Sequence, residues 1–128
     1  MAKSCTVFVV EDDVDTRDML GRFLELEGFR VELASNGKQA LERLHAGVHP
    51  CVILLDLMMP VMDGHAFRAQ QLLDPDRAGI PIIVISATYD IEADPPRLQP
   101  RTWLNKPFDV EELLASVAAV CADMHVAA

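Results

Sequence analysis

Three stretches of the chain are apolar at every position: Val7-Phe8-Val9-Val10, Cys51-Val52-Ile53-Leu54-Leu55 and Ile82-Ile83-Val84-Ile85. They are rich in β-branched residues and too short for helices, which predicts strands buried on both faces, as in a parallel sheet. Phe29 to Ala34 alternates Phe29, Val31 and Leu33 with polar residues and reads as a half-buried edge strand. A fifth, shorter strand is predicted around Thr102 to Asn105. Helical spacing fills the intervals. Asp15 to Glu27 places Met19, Leu20, Phe23 and Leu24 on one face, and Gly28 stops the helix. Ser35 or Asn36 caps a second helix with Ala40, Leu41 and Leu44, ending near Gly47. Asp63-Gly64 precedes a third with Ala66, Phe67, Ala69 and Leu73. Asp109 and Glu112 resemble a capping box before a last helix with Leu113, Leu114, Val117, Val120 and Met124 inward.

Strand and helix therefore alternate, which predicts an α/β fold with right-handed crossovers and helices on both faces of the sheet. One connection breaks the pattern. Between Ser86 and Trp103, where such a fold needs a fourth helix, stand Pro95, Pro96 and Pro100. Interior proline removes a backbone donor and clashes with the preceding turn, so this helix is expected to be atypical, shortened or disordered.

Composition narrows the function classes. The 128 residues fit a single domain spanning 1–128, 51% of them hydrophobic and 24% charged. A formal charge of -9 argues against direct nucleic-acid binding, which needs a basic face. Cys5, Cys51 and Cys121 form no paired motif and read as small core residues in a reducing compartment. No signal peptide or membrane-length apolar run is present, and a cytoplasmic location is expected.

In an open α/β sheet, ligands bind beyond the carboxyl ends of the strands. The first strand ends in Glu11-Asp12-Asp13, the third in Asp56 and the fourth in Ser86, and Lys106-Pro107-Phe108 follows the fifth. Clustered carboxylates repel one another, and a divalent cation relieves that repulsion. Oxygen-only donors suit Mg²⁺. Lys106 adds a fixed positive charge, and Ser86 a hydroxyl donor. Together these are the parts of phosphoryl transfer to a carboxylate. Each alone has a plainer meaning: Asp13 or Asp15 fits a helix N-cap, and Asp56 a turn. His45 and His49 flank a helix end and read as surface residues, and His65 as a solvated helix start.

At these positions the chain resembles the receiver domains of two-component response regulators. The resemblance rests on Val9-Val10-Glu11-Asp12-Asp13, Leu54-Leu55-Asp56-Leu57-Met58-Met59-Pro60, Met62-Asp63-Gly64, Ser86-Ala87 and Lys106-Pro107-Phe108. It implies a flavodoxin-like (βα)5 doubly wound fold, with a five-stranded parallel sheet in the order 2-1-3-4-5. It implies that Asp56 is the phosphoacceptor and that Asp12 binds Mg²⁺ directly, Glu11 through water and Met58 through its backbone carbonyl. Asp56 also belongs to the implied metal set. Ser86 and Lys106 would contact the phosphoryl group, and Lys106-Pro107 matches a family position that is usually a cis peptide. Gly64 would permit close approach in the turn before the third helix. Trp103 stands where the family carries a switch aromatic; it is either that rotating side chain or a static one packed on the surface. Proline-rich Pro96 to Arg101 departs from the family pattern.

The resemblance further implies a histidine kinase or histidine phosphotransfer protein as phosphoryl donor and a downstream protein partner. A monomer or weak dimer is expected, with no enzyme activity beyond assistance to the domain's own phosphorylation and dephosphorylation. A receiver-like module that acts without phosphate is the alternative. A phosphatase with an aspartyl nucleophile is disfavoured, because Met58 stands where its general acid would be.

Overall fold

The structure is a computed structural model that describes residues 5–87 and 98–127, with side chains described as far as Ala122. Five strands, β1 (Thr6–Val10), β2 (Arg30–Ala34), β3 (Val52–Asp56), β4 (Ile82–Ser86) and β5 (Thr102–Asn105), form one parallel sheet in the order β2-β1-β3-β4-β5. The helices are α1 (Val14–Leu26), α2 (Gly37–His45), α3 (Gly64–Leu73) and α4 (Val110–Ala127). The all-apolar runs are the three central strands, as continuous burial on both faces requires. The alternating run is the β2 edge. The atypical fourth helix is expected between Ser86 and Trp103, and residues 88–97 of that stretch lie outside the described residues.

Two cores sandwich the sheet. Val7, Val9, Val52, Leu54, Ile83 and Ile85 face α1 and α4, where Leu20, Leu24, Leu113 and Val117 are buried. Phe8, Val10, Ile53, Leu55, Ile82 and Val84 face α2 and α3, where Ala40, Leu44 and Phe67 are buried. Leu98 also belongs to this second core, with Trp103 partly buried against it. The cysteines are free thiols, Cys5 and Cys121 buried and Cys51 half-buried, all packed into the first core as expected.

The helix ends follow local chemistry. Asp13, Asn36 and Asp63 each accept the N–H three residues on, at 2.8 to 2.9 Å, and so cap α1, α2 and α3. Gly28 at φ 97° and Gly47 at φ 113° follow α1 and α2 in the left-handed region. Asp109 accepts the Glu111 N–H at 2.9 Å at the start of α4.

Two inward faces differ from expectation. On α1, Leu20, Gly21 and Leu24 are buried, while Met19 and Phe23 are exposed. The helix is rotated so that small Gly21 lies against Leu33 and Val31. On α3, the buried stripe is Gly64, Phe67, Arg68 and Gln71, with Leu73 exposed. The spacing is helical, but two of its members are polar and make hydrogen bonds that no apolar periodicity reveals. Met124 lies outside the described side chains.

Gly64 sets the distance between α3 and the end of β3. A Cβ there would lie 2.6 Å from the Asp56 carbonyl oxygen and 2.9 Å from Leu57 Cα. Both are backbone atoms that cannot swing aside. Gly64→Ala is therefore expected to destabilise the fold by about 1–3 kcal/mol, measured as a fall in the urea midpoint at unchanged slope.

Candidate functional site

The strand order brings together the carboxyl ends of β1, β3, β4 and β5. Val10 and Leu55 are register partners, so Glu11 and Asp56 emerge side by side. Asp56 pairs with Ile85, and Ser86 with Asn105, which places Ser86 and Lys106 on the other flank of Asp56. One carboxylate oxygen from each of Glu11, Asp12 and Asp56 lies within 4.8 Å of the others. Glu11 and Asp56 are buried, and Asp12 is exposed.

Lys106 spans the group. Its Nζ lies 2.6 Å from Glu11 Oε1 and 3.7 Å from Asp56 Oδ2. Burial alone would lower the Lys106 pKa, but Glu11, Asp56 and Asp12 together hold it above its ordinary value. The Lys106-Pro107 peptide is cis, and the Lys106 N–H donates to the Ser86 carbonyl at 2.7 Å. The Met58 N–H donates to Asp56 Oδ1 at 3.2 Å. Burial, reinforced by the adjacent Glu11 carboxyl, pushes the Asp56 pKa up to about 7, against the opposing pull of Lys106 and the Met58 N–H.

This donor set fits a hard divalent cation. It consists of oxygens only, with two buried carboxylates and one at the surface. The raised Asp56 pKa is what a buried carboxyl beside a second acid should show when positive charge is short. The Met58 side chain is 75% exposed, so its thioether does not contribute to a buried ligand set.

Glu11, Asp12, Asp56, Ser86 and Lys106, each expected at this edge from its place after a strand, all lie there. Trp103 lies on β5, three residues before Lys106, half-buried against the second core. His45, His49 and His65 are not part of the group. Two supporting residues went unnoticed. Arg17 donates to the carbonyls of Glu11 at 2.9 Å and Asp12 at 3.5 Å, and so fixes the backbone beneath the acids. Gly37 donates its N–H to the Met62 carbonyl at 3.0 Å, and a Cβ there would lie 2.8 Å from Met62 Cγ. It lets α2 approach the loop after β3. Its position at a helix start, next to a good N-cap, was the available signal.

The chain resembles known proteins throughout this region. The family model for the response regulator receiver domain matches residues 7–118. The chain is 34% identical over 109 residues to the regulatory protein AtoC of Escherichia coli, covering 84% of this chain and 23% of that protein. It is 37% identical over 116 residues to the response regulator MprA of Mycolicibacterium vanbaalenii, covering 89% and 49%. It thus spans about half or less of the length of these relatives. Among solved structures, CheY4 of Vibrio cholerae superposes with a TM-score of 0.83 at 28% identity, covering 91% of this chain and 98% of that one. The receiver domain of the sensor histidine kinase PA1611 of Pseudomonas aeruginosa, with a magnesium ion coordinated in its active-site cleft, superposes at 0.79 and 26% identity, covering 93% and 98%.

The raised Asp56 pKa has a consequence for stability. Between the unfolded value of 3.8 and about 7, the metal-free folded state binds more protons than the unfolded one, so this group's contribution falls as pH rises through that window. Asn at position 56 removes the ionisation and offers Glu11 an N–H donor in place of the protonated carboxyl's O–H. Asp56→Asn is expected to raise metal-free stability at pH 8 by on the order of 2 kcal/mol, with the gain shrinking toward pH 4. Urea titrations of both proteins at the two pH values check this; an equal difference at both would contradict it.

Proposed function

From the premise that the chain belongs to the response regulator receiver family, a family of two-component signalling domains, we propose that Asp56 accepts a phosphoryl group from a phosphohistidine on a histidine kinase or histidine phosphotransfer protein. The observation that carries this reading is the buried Asp56 carboxylate, grouped with Glu11 and Asp12 and lying 3.7 Å from the Lys106 ammonium.

An Asp56 carboxylate oxygen attacks phosphorus. The new P–O bond forms as the P–N bond breaks, and the donor imidazole leaves and takes up a proton. Lys106 and the Ser86 hydroxyl face the transferring oxygens and stabilise their charge. Lys106 exchanges part of its contact with Glu11 for those oxygens. Glu11, Asp12, Asp56 and the Met58 carbonyl would hold Mg²⁺, which supplies positive charge to the carboxylates and the phosphoryl group when bound. Once formed, the acyl phosphate carries roughly -1.5 to -2 charges where the carboxylate carried a single one, and adds new acceptor oxygens. Ser86 is drawn toward it, and Trp103 reports the change on the β5 edge, a two-state shift biased by phosphate.

The output is an altered protein–protein contact with a downstream partner, made by a single domain of residues 1–128 that is a monomer or weak dimer in the cytoplasm. Its only catalysis is assistance to its own phosphorylation and dephosphorylation. Among the described residues no helix is long and apolar enough to cross a membrane.

Incubation with acetyl phosphate and Mg²⁺ is expected to add one phosphoryl group by intact mass, and Asp56→Asn or chelation of the metal to abolish the gain. An unmodified wild-type mass with Mg²⁺ present would overturn the reading in favour of a module that works without phosphate. Met58 stands two residues beyond Asp56 with an exposed, apolar side chain that offers an attacking water no hydrogen bond. The phosphorylated domain is accordingly expected to outlast the seconds timescale, and Met58→Asn to shorten its lifetime severalfold. Decay within seconds in the wild type would count against this role.

A further inference from the structure

Arg68 is the one arginine on the buried stripe of α3, 4% exposed, with Gln71 beside it at 1%. Burial pushes its pKa below the ordinary value. Its guanidinium donates through Nε to the Leu98 carbonyl at 2.8 Å and through Nη2 to the Gln99 carbonyl at 3.3 Å. Through Nη1 it reaches Gln71 Oε1 at 2.8 Å and the Ile80 carbonyl at 3.2 Å. Gln71 Nε2 then donates to the carbonyls of Arg77 at 2.9 Å and Ile80 at 3.1 Å. Among the described residues, the hydrogen-bond partners of Arg68 are carbonyl and amide oxygens, with no carboxylate.

A buried guanidinium is costly unless its fork of donors is filled. Here it is filled by the backbone that enters β5 together with Gln71 Oε1 and the Ile80 carbonyl. Leu98, 1% exposed, packs into the second core from the same stretch, and Gln99 is held at φ 50°. The ladder then resumes, with the Arg101 N–H donating to the Ile82 carbonyl at 2.9 Å. Polar and apolar contacts together fix two consecutive residues, Leu98 and Gln99, shortly before the strand that carries Trp103.

We propose that Arg68 is a positioning residue for the switch: it anchors Leu98 and Gln99 to α3, and this anchor stays closed in both phosphorylation states. Any change started at Ser86 then reaches Trp103 against a fixed β5 entry. The two-state part of this inference rests on Asp56 being the phosphoacceptor; the anchor itself does not.

Hydrogen exchange over residues 98–102, in the intact chain with and without acetyl phosphate and Mg²⁺, tests it. Wild type should show the same protection there in both states. Arg68→Met should speed exchange about tenfold or more, since several bonds to a charged donor are lost. Arg68→Lys keeps the charge but not the fork, and should give an intermediate increase. Trp103 emission gives a readout that a merely structural role would leave alone: its response to phosphorylation should change in both variants while Asp56 labelling persists. Unchanged exchange in both variants would overturn the proposal, as would wild-type residues 98–102 loosening on phosphorylation. If Arg68→Met does not fold, Arg68→Lys carries the test. Failure of the phosphoacceptor reading would show separately, as absence of labelling in wild type, and the comparison of unmodified proteins would still decide the anchor.

Discussion

The 2.6 Å contact between Lys106 and the buried Glu11 is the interaction on which this site depends. It joins residues 95 apart in sequence and ties the end of β1 to the loop after β5, across the ends of β3 and β4. Without a cation between them, Glu11, Asp12 and Asp56 would repel one another where Glu11 and Asp56 have little water to screen them. Lys106 offsets part of that repulsion, while burial, reinforced by the Glu11 carboxyl, still holds the Asp56 pKa above its ordinary value. A site so short of positive charge is suited to a hard divalent ion and then to phosphoryl chemistry.

The sheet makes the convergence possible. Parallel strands all deliver their carboxyl ends to one edge, and the order β2-β1-β3-β4-β5 puts Asp56 in the middle, with acids on one side and Ser86 and Lys106 on the other. Gly64 and Gly37 then let α3 and α2 approach the loop after β3 at distances a side chain would forbid. Asp13 caps α1 directly after the two acids, so helix formation and acid placement share one turn.

Much of this was legible in the chain. Runs of β-branched residues identify the central strands because burial on both faces leaves no polar position. The acids, Ser86 and Lys106 could be located because each follows such a run. What escaped was polar packing. Apolar periodicity pointed Met19, Phe23 and Leu73 inward, but Gly21 rotates α1, and Arg68 with Gln71 claims the inner face of α3. A buried arginine satisfied mostly by backbone carbonyls leaves no pattern in sequence, because, Gln71 apart, its partners are main-chain atoms of any residue type. Arg17, which holds the Glu11 and Asp12 carbonyls, is hidden for the same reason.

The most direct test of the central claim is to locate the phosphoryl group. Hydride reduction of the phosphorylated chain converts an aspartyl phosphate to homoserine, which peptide mapping can place. Homoserine is expected at position 56 alone, formed only when Mg²⁺ was present during phosphorylation. Homoserine at another aspartate, or none in a chain that has gained a phosphoryl group, would contradict this.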